Sequence, residues 1–358
     1  MKVGQVSTFN CRCGIATYCG MLTNALQDLG AETYVLAEEC SEKDIVDFKF
    51  KTDYERCWNR NLPYHNVIRQ SIDYDILHIQ HQFGLFPNPT NNAELYDLAQ
   101  TNIVSTLHDV VPPSQQAAPY MKPFLEKSKQ IIVHTKACYE LLQQWGFENP
   151  ALIPHGTKLM PDTPKEEARK AVGLPENAKI LLSWGFIWES KGILDLVRIL
   201  AEVKKTIPEA MLVHAGGIHP AIAGSEYLRS ILKTAIHLKL SPKDIVITQW
   251  VPEEKVSTYL SSADVIVLNY MRGSASASGA AHIALGSHRP LVKTNDFCLE
   301  EIPGLTSERG NSQQLCENIL KVLQNVKLQQ TLVACAEKAS EEMSWANVAK
   351  QHLDVYTK

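Results

Sequence analysis

Short apolar runs alternate along the chain with stretches whose apolar residues recur at helical spacing. Val3–Ser7 reads as a strand, and Ile15, Tyr18, Leu22, Ala25, Leu26 and Leu29 then follow helical periodicity up to Gly30. Thr33–Ala37, Ile76–Ile79, Ile103–Leu107 and Ile131–His134 repeat the strand pattern, with helices expected over 91–99 and 136–145. After a linker-like Pro161–Lys165 the alternation resumes. Ile180–Ser183, Met211–His214, Ile245–Thr248, Val265–Leu268 and Leu291–Lys293 read as strands, and 191–206, 224–239, 253–262 and 278–287 as helices. From about 312 the chain reads as helix to its end.

Strand–helix alternation of this kind predicts an α/β protein in which parallel sheets carry helices on both faces. Two such runs predict two Rossmann-like doubly wound domains, 1–160 and 166–343, facing across a cleft. Open α/β sheets bind ligands outside the carboxyl ends of their strands, so those ends are where chemistry is expected.

Composition narrows the class. At 358 residues, 45% hydrophobic and 21% charged, the chain has ordinary globular values. No apolar stretch approaches the roughly 18–20 residues of a membrane span. The amino terminus opens on strand-like Lys2–Ser7 without a basic-then-apolar leader, so a soluble, cytoplasmic protein is expected. Nine dispersed cysteines fit reduced thiols better than a disulfide framework. Cys11, Cys13 and Cys19 cluster without the paired spacing of a zinc site, and no metal is expected. The net charge is −4, and the first 156 residues carry the acidic excess. That disfavours DNA and anionic lipid as partners.

The usual nucleotide and hydrolase signatures are missing: no lysine-bearing phosphate loop, no G-x-G-x-x-G, no H-E-x-x-H, no G-x-S-x-G. Four segments nevertheless lie just past the end of a strand-like run. Gly14 opens the first helix, where glycine lets backbone approach a ligand and free amides attract phosphate or carboxylate; a plain tight turn would use the same residue. Thr106-Leu107-His108-Asp109 ends a strand, although a lone histidine is often structural. Gly185 to Gly192 places Lys191 at a helix start, unfavourable for the helix dipole but suited to a leaving diphosphate. Arg272 to Gly279 offers small residues and hydroxyls as an anion nest, or a flexible loop.

In this order the segments resemble the retaining, GT-B-fold members of glycosyltransferase family 4, the group 1 class. The likeness runs through Cys13-Gly14-Ile15-Ala16-x-Tyr18, Asp75-Ile76-Leu77-His78-Ile79-Gln80-His81 with Gly84-Leu85-Phe86, Thr106-x-His108-Asp109 and Ile153-Pro154-His155-Gly156-Thr157. It continues through Gly185…Lys191-Gly192, Gln249-Trp250-Val251-Pro252 and Ser278-Gly279-Ala280 on to Pro290, and closes at Ser344-Trp345…Tyr356. Two departures stand out. Phe186 occupies a position where the family often carries Arg. The family's E-x7-E pair is absent, with Ile283 or His282 at the second position and Ser274 or Ala275 at the first.

The resemblance implies a hexosyltransferase taking a nucleotide-sugar, UDP- or GDP-linked, to an unidentified acceptor (glycan, lipid-linked sugar, metabolite or modified nucleic acid), without metal or other cofactor. It further implies that helix 344–358 crosses back onto the amino-terminal, acceptor domain. His108 and Lys191 would be catalytic. Gly14, Ser276, Ser278, Gly279 and Ala280 would bind the diphosphate and sugar. Gly185, Phe186, Trp250, Val251, His282 and Ile283 would bind the nucleotide, and Ile15, His81 and Asp109 would face the acceptor. A weak homo-oligomer is left open. The alternatives are a catalytically impaired nucleotide-sugar binding or scaffold protein, or an epimerase or phosphorylase on the same architecture.

Overall fold

A computed structural model describes residues 1–111, 118–218, 225–271 and 276–358. The chain divides into two compact units. The first comprises Met1–Gly156, Ser274–Gly279 and Met343–Lys358; the second comprises Thr157–Gly273 and Ala280–Glu342.

The first unit is built on a seven-stranded sheet: β1 (Lys2–Ser7), β2 (Glu32–Glu38), β3 (Asp53–Trp58), β4 (Ile76–His81), β5 (Asn102–Leu107), β6 (Gln130–Val133) and β7 (Ala151–Leu152). Its order is β3-β2-β1-β4-β5-β6-β7 and every pair is parallel. The chain thus works outward to β3 and then crosses back, which makes β1 and β4 the switch point of the sheet. Val3 pairs with Ile76 and Val6 with Ile79, so the residues after β1 emerge beside the end of β4.

Five helices connect these strands: α1 (Gly14–Asp28), α2 (His65–Gln70), α3 (Pro89–Leu98), α4 (Ala118–Leu125) and α5 (Lys136–Gln144). Helix α1 buries the stripe Ala16, Tyr18, Cys19, Leu22, Ala25 and Leu26, and the chain turns after it at Gly30, whose φ is +87°. The terminal helix α13 (Trp345–Thr357) packs on α1. Val348, Ala349, Val355 and Tyr356 join Val3, Leu22, Leu26, Val104 and Ile132 in one core. Gly156 is fixed by this packing, because a Cβ there would lie 2.2 Å from the Trp345 ring.

The second unit carries six parallel strands, β8 (Lys179–Trp184), β9 (Ala210–Ala215), β10 (Ile245–Ile247), β11 (Val265–Leu268), β12 (Leu291–Thr294) and β13 (Leu305–Ser307). Their order is β10-β9-β8-β11-β12-β13, with its own switch point between β8 and β11. The helices are α6 (Lys165–Val172), α7 (Ile193–Thr206), α8 (Ser225–His237), α9 (Glu253–Ser261), α10 (Gly279–Leu285), α11 (Ser312–Gln324) and α12 (Val326–Glu342). Leu196, Val197, Leu200 and Val203 of α7 pack with Ile319 and Val322 of α11 over Leu181, Leu212 and Val267. At the opposite strand ends, the buried Asp264 carboxylate takes Arg169 at 2.6 Å, Lys165 at 2.7 Å and the Ile180 amide at 2.6 Å. That pins α6 to the start of β8.

Strands β3, β7 and β13 have no counterpart in the hydrophobic pattern. Edge strand β3 reads Asp-Tyr-Glu-Arg-Cys-Trp, with its first three residues exposed, so no apolar run marks it. Helix α7 begins at Ile193 rather than 191. Glu189–Lys191 form a separate 3-10 turn closed by Gly192 at φ +58°.

Candidate active site

In the first unit the candidate residues gather where β1, β4, β5 and β6 end. Cys13 is extended and makes no side-chain cap, so the first-turn amides of α1 keep no capping side chain. A Cβ on Gly14 would meet nothing within 4 Å, so open space lies beside this helix start. Ile15 is partly exposed next to it.

His108 follows β5 and is tied to the end of β4 through its amide on the His81 carbonyl, 3.0 Å. Its Nε2 lies 2.8 Å from Gln80 Oε1, whose amide nitrogen donates to Gln5 Oε1 at 2.9 Å. Tyr18 sets its edge 4.8 Å from the His108 ring centre and also touches His134, His155 and Trp345. Burial holds His108 well below the usual imidazole range, and His134, His155, His78 and His81 push the same way. It is therefore neutral near pH 7.

Asp109 is buried, and its Oδ2 accepts the Phe83 amide at 2.8 Å. Desolvation raises its carboxyl to about 7 despite that hydrogen bond. His81 is 1% exposed and stacked on Phe86, with ring centres 5.3 Å apart and planes 14° from parallel. Neither of its ring nitrogens has a hydrogen-bond partner, and burial lowers it to about 4.

Of the stretch Arg272–Gly279, residues 272–275 lie outside the described ones. Ser276 is held in the first unit: its amide donates to the His108 carbonyl at 3.0 Å and its Oγ accepts the Val110 amide at 2.8 Å. The hydroxyl expected to serve an anion is thus already an acceptor for the backbone beside His108. Ser278 is buried, and Gly279 opens α10, where a Cβ would sit 3.4 Å from His155 Nε2.

In the second unit the ends of β8, β9 and β10 converge. Gly185 takes φ +112° and Gly216 φ +155°. A Cβ on Gly216 would fall 1.8 Å from the Gly185 carbonyl oxygen, so glycine is obligatory there. Gly217 lies against the Trp250 backbone, and the first turn of α10 approaches too, since a Cβ on Gly185 would be 3.4 Å from Ala280 Cβ. The Phe186 and Trp250 rings are 6.2 Å apart. Val251 is buried and anchors the segment, whereas Trp250 is 50% exposed.

Lys191 ends its 3-10 turn with the ammonium 3.4 Å from the centre of the Tyr270 ring. Asn269 Nδ2 donates to the Gly192 carbonyl at 3.0 Å and reaches Asp195 at 3.2 Å, which fixes the turn behind the lysine. His282 is 1% exposed and its Nδ1 is 2.9 Å from Thr157 Oγ1; Ile283 beside it is partly exposed. Each unit therefore assembles part of the expected set. His108, His81, Asp109 and Ser276 adjoin in the first, and Gly185, Phe186, Trp250 and Ala280 in the second. Lys191 and His282 sit in separate surroundings.

Sequence reasoning left His134, His155 and Tyr270 out of the site. His134 ends a strand-like run and His155 follows β7, so strand-end position was the available signal. Among the described residues no group of three or more His, Cys, Asp or Glu is placed to hold a metal, and no helix is long and apolar enough to cross a membrane. All nine cysteines are free thiols.

Residues 13–159 match the model for Glycosyltransferase Family 4, and residues 178–325 that for Glycosyl transferases group 1. The chain belongs to the group 1 glycosyltransferases, with the family 4 domain in its first unit, and its two parallel sheets are those of the GT-B fold. Anabaena HepE, solved in complex with UDP and glucose, superposes with a TM-score of 0.80 at 15% identity, covering 100% of this chain and 99% of that one. Sucrose-phosphate synthase from Thermosynechococcus elongatus gives 0.79 at 19% identity, covering 100% and 98%. D-inositol 3-phosphate glycosyltransferase of a Nocardioides species is 26% identical over 206 residues, 54% of this chain. That match spans 44% of the relative's own length.

Proposed function

We propose that the protein is a retaining hexosyltransferase that uses a nucleotide-diphospho-sugar and needs no metal. The observation that carries the reading is the strand-end cluster of the second unit. There close-approach glycines and an exposed tryptophan offer backbone access and a stacking surface, while Lys191, fixed in its own turn of the same unit, offers a counter-charge. The UDP bound to Anabaena HepE, of the same fold, makes UDP-sugars the first donors to try, with GDP-sugars next.

In the reaction the bond from the sugar C1 to the diphosphate oxygen breaks, and a bond from C1 to the acceptor oxygen forms on the same face. The acceptor proton leaves with the departing phosphate. Charge grows on the diphosphate, and a preorganised donor aimed at such charge is worth roughly 3–4 kcal/mol. Lys191 takes that role. A neutral His108 contacts the sugar, where a cationic one would compete for the leaving group.

A second reading, a nucleotide-sugar binder without turnover, is favoured by two residues. Phe186 brings no charge where relatives often have Arg, and His282 is buried on Thr157, so it cannot replace a ribose-binding carboxylate without moving.

Thermal melting with UDP, GDP, ADP and their sugar conjugates, in chelator, tests both. Stabilisation by one nucleotide that Lys191→Ala abolishes, with hydrolysis or transfer of its sugar, supports the transferase. Stabilisation without turnover on any acceptor supports the binder. No stabilisation by any of them removes both readings.

A further inference from the structure

A file of buried polar side chains runs from the terminal helix to His108. Gln5, His78, Gln80 and Thr106 are fully buried and Tyr356 is 3% exposed. Tyr356 Oη lies 2.7 Å and Gln5 Nε2 3.3 Å from His78 Nδ1, and His78 Nε2 lies 2.7 Å from Thr106 Oγ1. Gln80 Nε2 then donates to Gln5 Oε1, and His108 Nε2 faces Gln80 Oε1.

The orientation of the Gln80 amide, with its nitrogen on Gln5 Oε1, sets the directions of the other hydrogen bonds. An amide has one donating and one accepting end. With Gln5 accepting from Gln80, its own NH2 must face His78, so His78 Nδ1 is an acceptor and its proton is on Nε2, donated to Thr106. With the Gln80 NH2 spent on Gln5, only its carbonyl oxygen remains for His108. That oxygen cannot donate, so the hydrogen between them belongs to His108 Nε2.

We propose that Gln80, oriented by Gln5, His78 and Tyr356, is a positioning residue that fixes His108 as the Nε2–H tautomer and leaves Nδ1 as its free lone pair. His108 then serves a substrate only as a hydrogen-bond acceptor, taking a hydrogen bond from a sugar hydroxyl rather than donating to a leaving oxygen. The catalytic consequence rests on the transferase reading above; the tautomer does not.

Other groups do not set it. His134, at the end of β6, donates from Nδ1 to the Ile153 carbonyl at 3.0 Å, and His155 donates from Nδ1 to the Gly156 carbonyl at 2.8 Å. Tyr18 of α1 meets the ring edge-on with its hydroxyl toward His352, 3.5 Å away. Asp109 is occupied by the Phe83 amide, and His81 packs on Phe86. Burial among these neutral rings keeps His108 unprotonated, so the tautomer is the one freedom left to Gln80.

The test is nitrogen NMR of the full chain labelled at histidine. In the parent at pH 7, His108 is expected to show a protonated Nε2 and a bare Nδ1. Gln80→Met should let the two tautomers mix. Gln80→Glu puts a carboxylate against the ring and should raise the pH of His108 protonation by about 1–3 units. Tyr356→Phe, a milder change made far along the chain, should shift His78 first and His108 less.

In sugar transfer, Gln80→Met should lower kcat about tenfold with KM nearly kept, as expected for an interaction made in the transition state. Gln80→Glu should move the acid limb of the pH profile upward. An unchanged His108 spectrum in both Gln80→Met and Tyr356→Phe, or a bare Nε2 in the parent, overturns the proposal. If the spectra shift as stated and the parent transfers no sugar, the tautomer stands and the transferase reading falls.

Discussion

The Lys191 ammonium sits 3.4 Å above the centre of the Tyr270 ring. The ring face is the negative pole of an aromatic quadrupole, so it holds the cation without neutralising it as a carboxylate would. The charge remains available to a phosphate.

Two substitutions separate the charge from its seat. Lys191→Ala removes the charge and should lower kcat/KM for sugar transfer by about two to three powers of ten. Tyr270→Leu keeps the lysine but removes the platform, which is worth about 0.5–2 kcal/mol. It should weaken nucleotide binding by roughly two- to thirty-fold. Nucleotide titration calorimetry on both proteins checks this. Equal affinity for parent and Tyr270→Leu would mean that the ring does not hold the lysine in solution.

Trp250 is half exposed beside Phe186, and on the proposed reading it is the surface on which a nucleobase stacks. Stacking of a base on an aromatic ring is worth about 1–3 kcal/mol by alanine substitution. Trp250→Ala should weaken nucleoside diphosphate binding by that amount, and the melting temperature of the unliganded protein should hardly move, because little of the ring is packed. A large loss of unliganded stability would make Trp250 a structural residue instead.

The carboxyl ends of the strands were legible in the sequence because apolar runs mark a parallel, doubly covered strand on any chain. Gly14, His108 and Gly185 all lie just past such runs. Tertiary relationships were not legible. No spacing rule brings Tyr18, His108, His134, His155 and Trp345 into one aromatic cluster, since they come from both ends of the chain. Lys191 was expected in the first turn of a helix; the left-handed Gly192 detaches it, and Tyr270 supplies the partner that offsets the missing dipole argument. Edge strand β3 escaped because exposed Asp53 and Glu55, with Arg56, break up any apolar run.

The buried histidines make stability depend on pH. His81, His134, His214 and His352 are lowered by burial to about 4, and His155 to about 3. In the unfolded chain they protonate near 6.5. Between those values the unfolded state binds more protons, so stability falls as the pH drops from about 6.5 toward 4. Asp109 and Glu301 act oppositely. Burial raises them to about 7 and about 8, so their contribution is present at acid pH and lost as pH rises through neutrality. The melting temperature should therefore peak between about pH 6 and 7 and fall more steeply on the acid side. His81→Leu, which removes two unpartnered ring nitrogens, should flatten the acid limb. Melting curves of both proteins from pH 4 to 9 decide it, and an acid limb of unchanged slope in the variant would show that His81 is solvated when the protein is folded.

Gly14 and Gly216 offer a last pair of tests, because their surroundings differ. Gly216 has a φ of +155° and no room for a Cβ, so Gly216→Ala should destabilise the second unit severely, by more than about 2 kcal/mol. Gly14 carries no positive φ, and its Cβ position is empty. Gly14→Ala should therefore leave stability the same or raise it by about 0.4–1 kcal/mol, through the lower entropy of the unfolded chain. Its glycine is not needed for folding. If a ligand comes against the bare backbone at the start of α1, the added methyl must obstruct it, and kcat/KM should drop about tenfold while the melting temperature holds. Full activity in a Gly14→Ala protein of undiminished stability would mean that nothing approaches that helix start.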